Sequence, residues 1–216
     1  MCNLYNIKMH SAQLKKAVGS YIDLTNGASF DEKIYPDYPA PVLRNNLDGV
    51  ELGLSRWGMP TPPMYVKGEA DKGITNVRNI SSRHWQRWLG VASRCLVPAT
   101  SFSEYAHNPD PKTGKKPLHW FAINTTEPLF FFAGIWTEWI GVRKPAEGKQ
   151  NHTLFAFLTS EPNSVVAPIH PKAMPVILTE PEEYDMWMTA PWEIAQELQR
   201  PLSIDKLIHN EINTMG

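Results

Sequence analysis

The distribution of apolar positions along the chain predicts that strands dominate the fold. Runs rich in β-branched and aromatic residues, bounded by Gly, Pro and Asn turn signals, occupy 50–59, 95–105, 119–124, 128–139, 152–160 and 173–179. Such side chains pack well on a pleated surface, and the turn residues between runs let the chain reverse. We therefore predict extended, strand-forming backbone in these runs.

Helical patterns lie towards the two ends of the chain. Ser11 can cap a helix that extends to about Ser20, with apolar residues spaced for one buried face at Leu14, Val18 and Tyr21. Further along, Pro181 and Pro191 stand at first-turn positions of the segments PEEYDMWMTA and WEIAQELQR. Proline suits the first turn because its missing N–H is not needed there. Two short helices are therefore predicted near residue 200.

The proline-rich segment IYPDYPAPVL (34–43) is predicted to be an extended loop, because its prolines lack amide donors. The sequence has no sustained βαβ alternation, GxGxxG or P-loop, which argues against nucleotide-binding α/β folds. With 216 residues, 42% of them hydrophobic, the chain can bury one sizeable core. We predict a single α+β domain over residues 1–216, with a curved, largely antiparallel sheet or barrel-like core and flanking helices.

Composition narrows the class of protein further. Apolar runs such as LFFFAGIW (129–136) are far shorter than the roughly 20 residues of a membrane span, and the N-terminus has no signal-peptide core. Cys2 and Cys95 are too few for a disulfide framework, and no CxxC or HxxxH spacing indicates zinc. We expect a cytoplasmic monomer that needs no metal or cofactor and does not bind membranes.

The formal net charge of −1 conceals an uneven distribution of charges. Basic residues accumulate early in the middle third, at Lys72, Arg78, Arg83, Arg87 and Arg94, and no acidic residue occurs from 72 to 103. The stretch 180–197 is acidic and has no Lys or Arg. A basic surface and an acidic surface are therefore predicted, although the overall charge argues against a broad nucleic-acid coat.

The segment RHWQRW (83–88) alternates arginine with tryptophan inside the basic stretch. Phosphate contact by Arg83 and Arg87, combined with base stacking on Trp85 and Trp88, would suit single-stranded nucleic acid. An amphipathic helix that buries the tryptophans and exposes the arginines accounts for the same pattern. The sequence leaves both interpretations open.

Cys2 raises a chemical question of its own. If Met1 is removed, Cys2 carries a thiol and a free α-amine on adjacent carbons. Typical pKa values of about 8 for the amine and about 8.5 for the thiol leave both partly nucleophilic at neutral pH. The alternative is that a cysteine at this position is incidental.

Polar residues within apolar segments supply the other candidates. Glu104 follows SFS at the end of a predicted strand, Asn76 lies in ITNVRN, and His170 lies between two prolines in APIHPKAMPVIL. A polar group in such a setting needs a partner or a purpose. Structural roles would be an arginine partner for Glu104, a turn cap for Asn76 and core packing for His170. Together with Cys2, however, they form an inventory for covalent catalysis with proton transfer.

Several ordered motifs resemble the SOS response-associated peptidase (SRAP) family of abasic-site processing proteins. The matching segments are MCNLY, PDYPAPV, RWGMP, TNVRN, RCLVPATSFSEY, FAGIW, FLTSEPN and IHPKAMPVIL. The resemblance covers most of the chain and implies the SRAP fold. It also implies a protein that recognises abasic sites in single-stranded DNA and forms a covalent thiazolidine with the ring-opened sugar.

Residue by residue, the resemblance implies that Cys2 is the crosslinking nucleophile once Met1 is removed, autoproteolytically or with assistance. Asn76 would anchor Cys2 and the sugar, Glu104 would be the acid/base, and His170 its partner. DNA contacts are implied at Arg78, Trp57, Tyr105 and Lys172, in addition to Arg83 and Arg87 of the basic segment. AP lyase activity would be secondary, with nucleoid association when DNA is bound.

The sequence also departs from the family pattern. Leu4 stands where many members have a DNA-contacting arginine, and Tyr105 replaces a common tryptophan while keeping an aromatic surface. The usual WGLIP-W loop reads WGMPTPP. Two other function classes remain open at this point: a cysteine-type peptidase acting on proteins, and a module that binds single-stranded DNA without a covalent bond.

Overall fold

Strands form most of the regular structure. The computed structural model describes residues 2–8, 11–46 and 49–210. Its strands are β1 (Tyr5–Asn6), β2 (Ile22–Asp23), β3 (Lys33–Ile34), β4 (Pro39–Asn46), β5 (Gly49–Trp57), β6 (Asn76–Val77), β7 (Arg94–Ala99), β8 (Ser101–Tyr105), β9 (Leu118–Ala122), β10 (Phe130–Val142), β11 (Lys149–Ser160), β12 (Met174–Pro175), β13 (Ile177–Leu178) and β14 (Ile208–Asn210). Its α-helices are α1 (Ser11–Val18), α2 (Arg83–Gln86), α3 (Pro181–Thr189) and α4 (Trp192–Ala195).

A closed barrel forms the centre of the fold. Antiparallel pairing joins the strands in the order β11, β10, β7, β4 and β5. Parallel pairing of β5 with β11, in the register Arg56 to Leu154 and Trp57 to Phe155, then closes the circle. Closure leaves these strands with fewer unpaired backbone groups than an open sheet would have. The barrel-like core and the α+β class predicted from the sequence are therefore confirmed.

A second, antiparallel sheet has the strand order β14, β9, β8, β1 and β3. The chain passes from the barrel into this sheet at Thr100, whose N–H donates to the carbonyl of Asn6 at 2.8 Å. The predicted strand at 95–105 is thus two strands, β7 in the barrel and β8 in the second sheet. This change of sheet carries Glu104, near the end of β8, away from the barrel strands.

Two apolar clusters occupy opposite faces of the barrel strands, because neighbouring residues of a strand point to opposite sides. Along β10, Phe131, Ala133 and Ile135 belong to the first cluster, and Phe130 and Phe132 to the second. We call the first the helix-side core, since α1 to α4 pack on it. The second, which includes side chains of β1, β8 and β9, is the sheet-side core.

The predicted helices are confirmed, with shorter bounds. The first begins at Ser11 and ends at Val18, two residues before Ser20. Pro181 occupies the first turn of α3, where Glu180 and Glu183 form a reciprocal capping box. Pro191 immediately precedes α4, which is followed by a 3₁₀ turn at 196–198. Within the described ranges, each helix lacks the length and apolar content needed to cross a bilayer.

The loop predicted for 34–43 is partly wrong, because residues from Pro39 onward belong to β4. Pro39 and Pro41 lie where β4 is registered against β5, whereas its registered pairs with β7 are at Leu43 and Arg44. Proline is tolerated where a strand edge lacks a second ladder of hydrogen bonds. A strand can therefore begin with prolines before its second neighbour joins.

Candidate active site

Strand pairing fixes the first residues of the chain beside β8. Tyr5 is paired with Phe102, and the Leu4 carbonyl accepts hydrogen bonds of 3.0 Å from both the N–H and the hydroxyl of Ser103. Continuing this register towards the N-terminus brings Cys2 to the part of β8 that carries Glu104. The extended backbone of residues 2–5 therefore positions a cysteine beside a carboxyl group.

The Cys2 thiol lies wholly inside the protein. Its side chain is fully buried, and Sγ lies 3.5 Å from the Leu4 carbonyl, to which it donates. Burial raises the pKa of the Cys2 thiol well above its usual range, and the nearby Glu104 carboxylate raises it further. A thiol in this setting stays protonated until a base removes its proton.

Asn76 fixes the backbone of Cys2. Its Nδ2 donates to the Cys2 carbonyl at 2.8 Å and to Thr75 Oγ1 at 2.8 Å. The side-chain oxygen of Asn76 is buried and has no hydrogen-bond partner among the described residues. An unpaired buried acceptor is costly, so this oxygen is a ready acceptor for an N–H or O–H group that enters the site.

The loop before Asn76 is held by Arg143. Its buried guanidinium donates to the Gly58 carbonyl at 3.1 Å, to the Lys72 carbonyl at 3.1 Å and to Asp37. Gly58 and Gly73 have φ angles of +141° and +74°, and a Cβ there would approach Arg143 nitrogens at 2.6 and 2.3 Å. Glycine is thus required for both backbone conformation and close approach. Beyond this clamp, β6 pairs with β11 and carries Asn76.

Glu104 is a buried carboxyl with an unusual proton affinity. Its side chain is 2% exposed, and burial raises the pKa of the Glu104 carboxyl to about 7. Desolvation disfavours the charged form of an acid, which explains the direction of this shift. Near neutral pH the group therefore exists as both acid and base, as general acid–base catalysis requires.

His170 faces Glu104 through a defined ring nitrogen. Its Nδ1 lies 3.0 Å from the Ala173 carbonyl, which can only accept, so Nδ1 carries the proton. Its Nε2 lies 4.0 Å from Glu104 Oε2. Burial lowers the pKa of His170, and the positive charges of Lys172 and His107 lower it further. Neutral His170 therefore turns Nε2 towards Glu104, at a distance longer than a hydrogen bond.

A cavity of about 320 Å³ opens in front of this pair. It is lined by Asn3, Glu104, Tyr105, Ala106, His107, Lys116, His170, Pro171 and Lys172. Its wall therefore carries a carboxyl group, imidazoles, an aromatic ring and lysine side chains. Among the residues that the structure describes, no cluster of three or more His, Cys, Asp or Glu could hold a metal ion.

The sequence matches the family described as SOS response associated peptidase (SRAP) over residues 1–215. It is 31% identical over 188 residues to the abasic site processing protein YoqW of Bacillus subtilis, covering 84% of this chain and 78% of that protein. It is 30% identical over 190 residues to the B. subtilis abasic site processing protein YoaM, covering 84% and 77%. The chain belongs to the SRAP family.

Solved structures share this SRAP fold. A protein from Bacteroides thetaiotaomicron superposes with a TM-score of 0.73 at 20% identity, covering 96% of this chain and 90% of that one. A protein from Bordetella bronchiseptica gives 0.70 at 21% identity, covering 96% and 98%. At these identities the likeness concerns the fold alone.

The SRAP site residues predicted from sequence fall into groups. Cys2, Asn76 and Glu104 converge, and His170 adjoins them, as described above. Tyr105, 51% exposed, and Lys172 line the cavity. Arg78 donates to the Ser160 and Lys172 carbonyls at 2.5 and 3.2 Å and pairs with Glu161. Its guanidinium therefore braces the His170 segment, and a contact with DNA stays a prediction.

The predicted DNA contact by Trp57 is wrong. The ring is fully buried in the sheet-side core, stacks on Phe157 at 5.2 Å, and donates from Nε1 to the Thr75 carbonyl. No face is therefore available to a base. The prediction failed because the motif RWGMP carries no information on the direction in which its tryptophan points.

Of the two interpretations of RHWQRW, the structure supports the amphipathic helix that buries its tryptophans. Trp85 and Trp88 are 7% and 9% exposed in the helix-side core, while Arg83 and Arg87 lie outside at the surface. Base stacking on these tryptophans is therefore excluded. Phosphate contact by the two arginines stays a prediction. Arg94, also counted in the basic stretch, is fully buried and donates to the Ala190 carbonyl.

His107 and Lys116 line the cavity but were not predicted from sequence. They lie at the ends of the turn between β8 and β9, where the Ala106 N–H donates to the Pro117 carbonyl at 2.8 Å. The basic segment KTGKKP between two predicted strands was the available signal. A hairpin there brings its basic residues back to the end of β8.

Proposed function

We propose that this SRAP protein recognises abasic sites in single-stranded DNA and forms a covalent thiazolidine with them through Cys2. Such a crosslink would protect the lesion during the DNA damage response. The printed names of the Bacillus relatives support abasic-site processing. The observation that carries the chemical proposal is the convergence of Asn76, Glu104 and His170 around Cys2, next to a cavity.

The reaction requires Met1 to be removed, because the α-amine of Cys2 must be free. An abasic sugar equilibrates between a closed ring and an open aldehyde. The amine adds to the aldehyde carbon to form a carbinolamine, whose hydroxyl leaves as water and gives a protonated imine. The Cys2 thiol loses its proton and its sulfur bonds to the imine carbon; the C=N π electrons return to nitrogen, which keeps its one proton, and a five-membered ring closes. The net change is the loss of one water.

Glu104 and His170 have the properties that these proton transfers need. A protonated Glu104 can donate to the departing hydroxyl, and the resulting carboxylate can take the proton of the buried Cys2 thiol. His170 Nε2, 4.0 Å from Glu104 Oε2, can exchange a proton with it when the two side chains close to hydrogen-bond distance. Asn76 would hold Cys2, and its unpaired oxygen could accept from the α-amine or the sugar. Because both nucleophiles belong to one residue, ring closure is intramolecular.

The alternatives are less well supported. Acyl transfer to proteins in trans is not what the printed names of the relatives indicate, since both are abasic site processing proteins. A non-covalent module would have no use for a raised Glu104 pKa beside a thiol. The imine could undergo β-elimination and nick the strand, so a minor lyase activity accompanies the proposal.

The test is crosslinking to an oligonucleotide that bears one abasic site. The protein with Met1 removed should give a complex that survives denaturing electrophoresis, and Cys2→Ala should give none, since an amine alone forms a hydrolysable imine. Cys95→Ala is the matched control and should crosslink like wild type. Equal yields from Cys2→Ala and wild type, without a trapping reductant, would contradict the proposal.

A further inference from the structure

Strand register places two histidines on the same face as Glu104. In the pairing of β8 with β9, Glu104 lies directly opposite His119, and Phe102 lies opposite Phe121. In the pairing of β9 with β14, Phe121 lies opposite His209. Residues two apart on a strand share a face, and the stacked rings of Phe102 and Phe121, 5.2 Å apart, show that this face points inward.

The two imidazoles are bonded to each other. His119 Nδ1 lies 2.9 Å from His209 Nε2, and the ring centroids are 4.9 Å apart. One nitrogen of this contact donates and the other accepts. The pair can therefore take up one extra proton on an outer nitrogen and keep the bond. A second extra proton would set two N–H groups against each other and break it.

Charged and titratable groups approach Glu104 from several directions. Cys2 approaches from the N-terminal segment, and His170 from the segment before β12. His119 approaches from β9, with His209 of β14 bonded to it. Cationic groups at the cavity rim are Lys116, Lys172 and His107. Among these groups, His119 and His209 are the two that are hydrogen-bonded to each other, and the reaction scheme above gives them no role.

We propose that His119 and His209 form a positioning pair for Glu104, which orients the carboxyl and places an exchangeable positive charge beside it. Directly opposite residues have Cβ atoms about 4.5–5.5 Å apart, so the carboxyl and the imidazole of His119 are within reach of each other. Because the pair acts through Glu104, this inference rests on the proposed function.

The pair couples two protonation equilibria. When the histidines hold an extra proton, their charge favours the Glu104 carboxylate. When Glu104 is ionised, it favours the extra proton on the histidines. Binding free energies are reciprocal, so each partner must shift the titration of the other by the same amount. A role in packing alone would produce no such reciprocity.

The reaction arm of the test measures crosslinking rates with abasic single-stranded DNA between pH 5 and 9. His119→Gln removes a positive charge beside Glu104, which should raise the pKa of the carboxyl. The acidic limb of the pH–rate profile should therefore move to higher pH by about one unit, within the range for close charge pairs. His209→Gln, on the edge strand β14, should move it in the same direction by roughly half as much. The control His152→Gln alters a histidine of barrel strand β11 and should leave the profile unchanged.

The second arm follows the histidine side chains by NMR titration and needs no DNA. Glu104→Gln should lower the pH at which the His119–His209 pair gains its extra proton, by the amount seen in the reaction arm. An unshifted pair, or unshifted rate profiles for folded His119→Gln and His209→Gln, would overturn this inference. If His119→Gln does not fold, His209→Gln and the titration decide. Absence of crosslinking by wild type would instead contradict the proposed function, while the titration would still decide whether the pair is coupled to Glu104.

Discussion

Cys2 and Cys95 are both buried in the sheet-side core, but the polar groups beside them differ. Both thiols are fully enclosed, and burial raises the pKa of each well above its usual range. Cys95 lies in barrel strand β7, where a Cβ on the facing Gly134 would stand 2.7 Å from its sulfur. Trp187 donates to its carbonyl at 3.0 Å. The Cys95 sulfur is therefore enclosed by side chains of the sheet-side core.

Cys2 is enclosed instead by groups that can move protons or accept them. Asn76 holds its carbonyl, the Glu104 carboxylate acts on its thiol, and His170 faces Glu104 from the cavity wall. Enclosure alone therefore does not make a nucleophile, because Cys95 is equally enclosed. The difference lies in the titratable carboxyl of Glu104, which has a pKa near neutrality, lies beside Cys2 and lines a cavity.

The largest expected difference between the two regions is in the rate of crosslinking. Glu104→Gln removes the proton donor and acceptor but keeps the shape, so crosslinking should slow by roughly 100-fold or more. DNA affinity should stay within about twofold, measured by fluorescence anisotropy with intact single strands. Cys95→Ala should leave the rate unchanged. A folded Glu104→Gln protein that crosslinks at the wild-type rate would make this carboxyl structural.

A second effect of Glu104 concerns stability and pH. Its pKa in the folded protein is raised to about 7, whereas an unfolded glutamate titrates near about 4.3. The folded state therefore holds the proton more tightly, so stability from this group is present at low pH and is lost as the pH rises through 7. At about 1.36 kcal/mol per pKa unit, the loss between these two pKa values is about 4 kcal/mol.

Urea unfolding at pH 5 and pH 8 measures this effect. The free energy of unfolding of Glu104→Gln, relative to wild type, should increase from pH 5 to pH 8, because glutamine does not ionise. Cys95→Ala is the control. The difference between its free energy of unfolding and that of wild type should not depend on pH. Asn76→Asp would not serve, because it adds a charge to the site. Parallel pH profiles for wild type and Glu104→Gln would show that the pKa is not raised.

The smallest predicted effects are on DNA affinity. They distinguish the cavity, where Lys172 lies, from the surface beside α2, where Arg87 lies. Binding to single strands should weaken with salt by a logarithmic slope of roughly 0.7 per phosphate contact. Lys172→Ala, at the cavity, should lower the slope by about one contact and also slow crosslinking. Arg87→Ala, beside α2, should lower the slope alone. Affinity that is independent of salt, or tighter binding to intact duplex, would contradict this assignment.

Sequence reasoning reached the residue types of the site but not their surroundings. Period, turn signals and proline positions are local properties, so the strands and helices could be predicted from them. The N-terminal cysteine and the polar residues within apolar segments indicated Cys2, Asn76, Glu104 and His170, and the family resemblance supplied their roles. Their convergence depends on the register of β1 with β8 and of β6 with β11. Such registers join residues far apart in the chain, and no local pattern encodes them.

The failures have two origins. The direction of Trp57 depends on packing between distant segments, which buries its ring in the sheet-side core. His107 and Lys116 reach the cavity only when the hairpin between β8 and β9 closes. In RHWQRW, by contrast, both interpretations could be stated from the sequence, and burial of Trp85 decided between them.

The central claim is that Cys2 supplies two nucleophiles to one aldehyde carbon. Intact mass spectrometry of the complex with an abasic single strand, followed by peptide mapping, tests it most directly. The account predicts a one-to-one adduct whose mass equals the protein without Met1 plus the DNA less one water, with the modification on the N-terminal peptide that begins at Cys2. Retaining any residue ahead of Cys2 should abolish it. A durable adduct with Met1 in place, or one that maps to Cys95 or a lysine, would contradict the account.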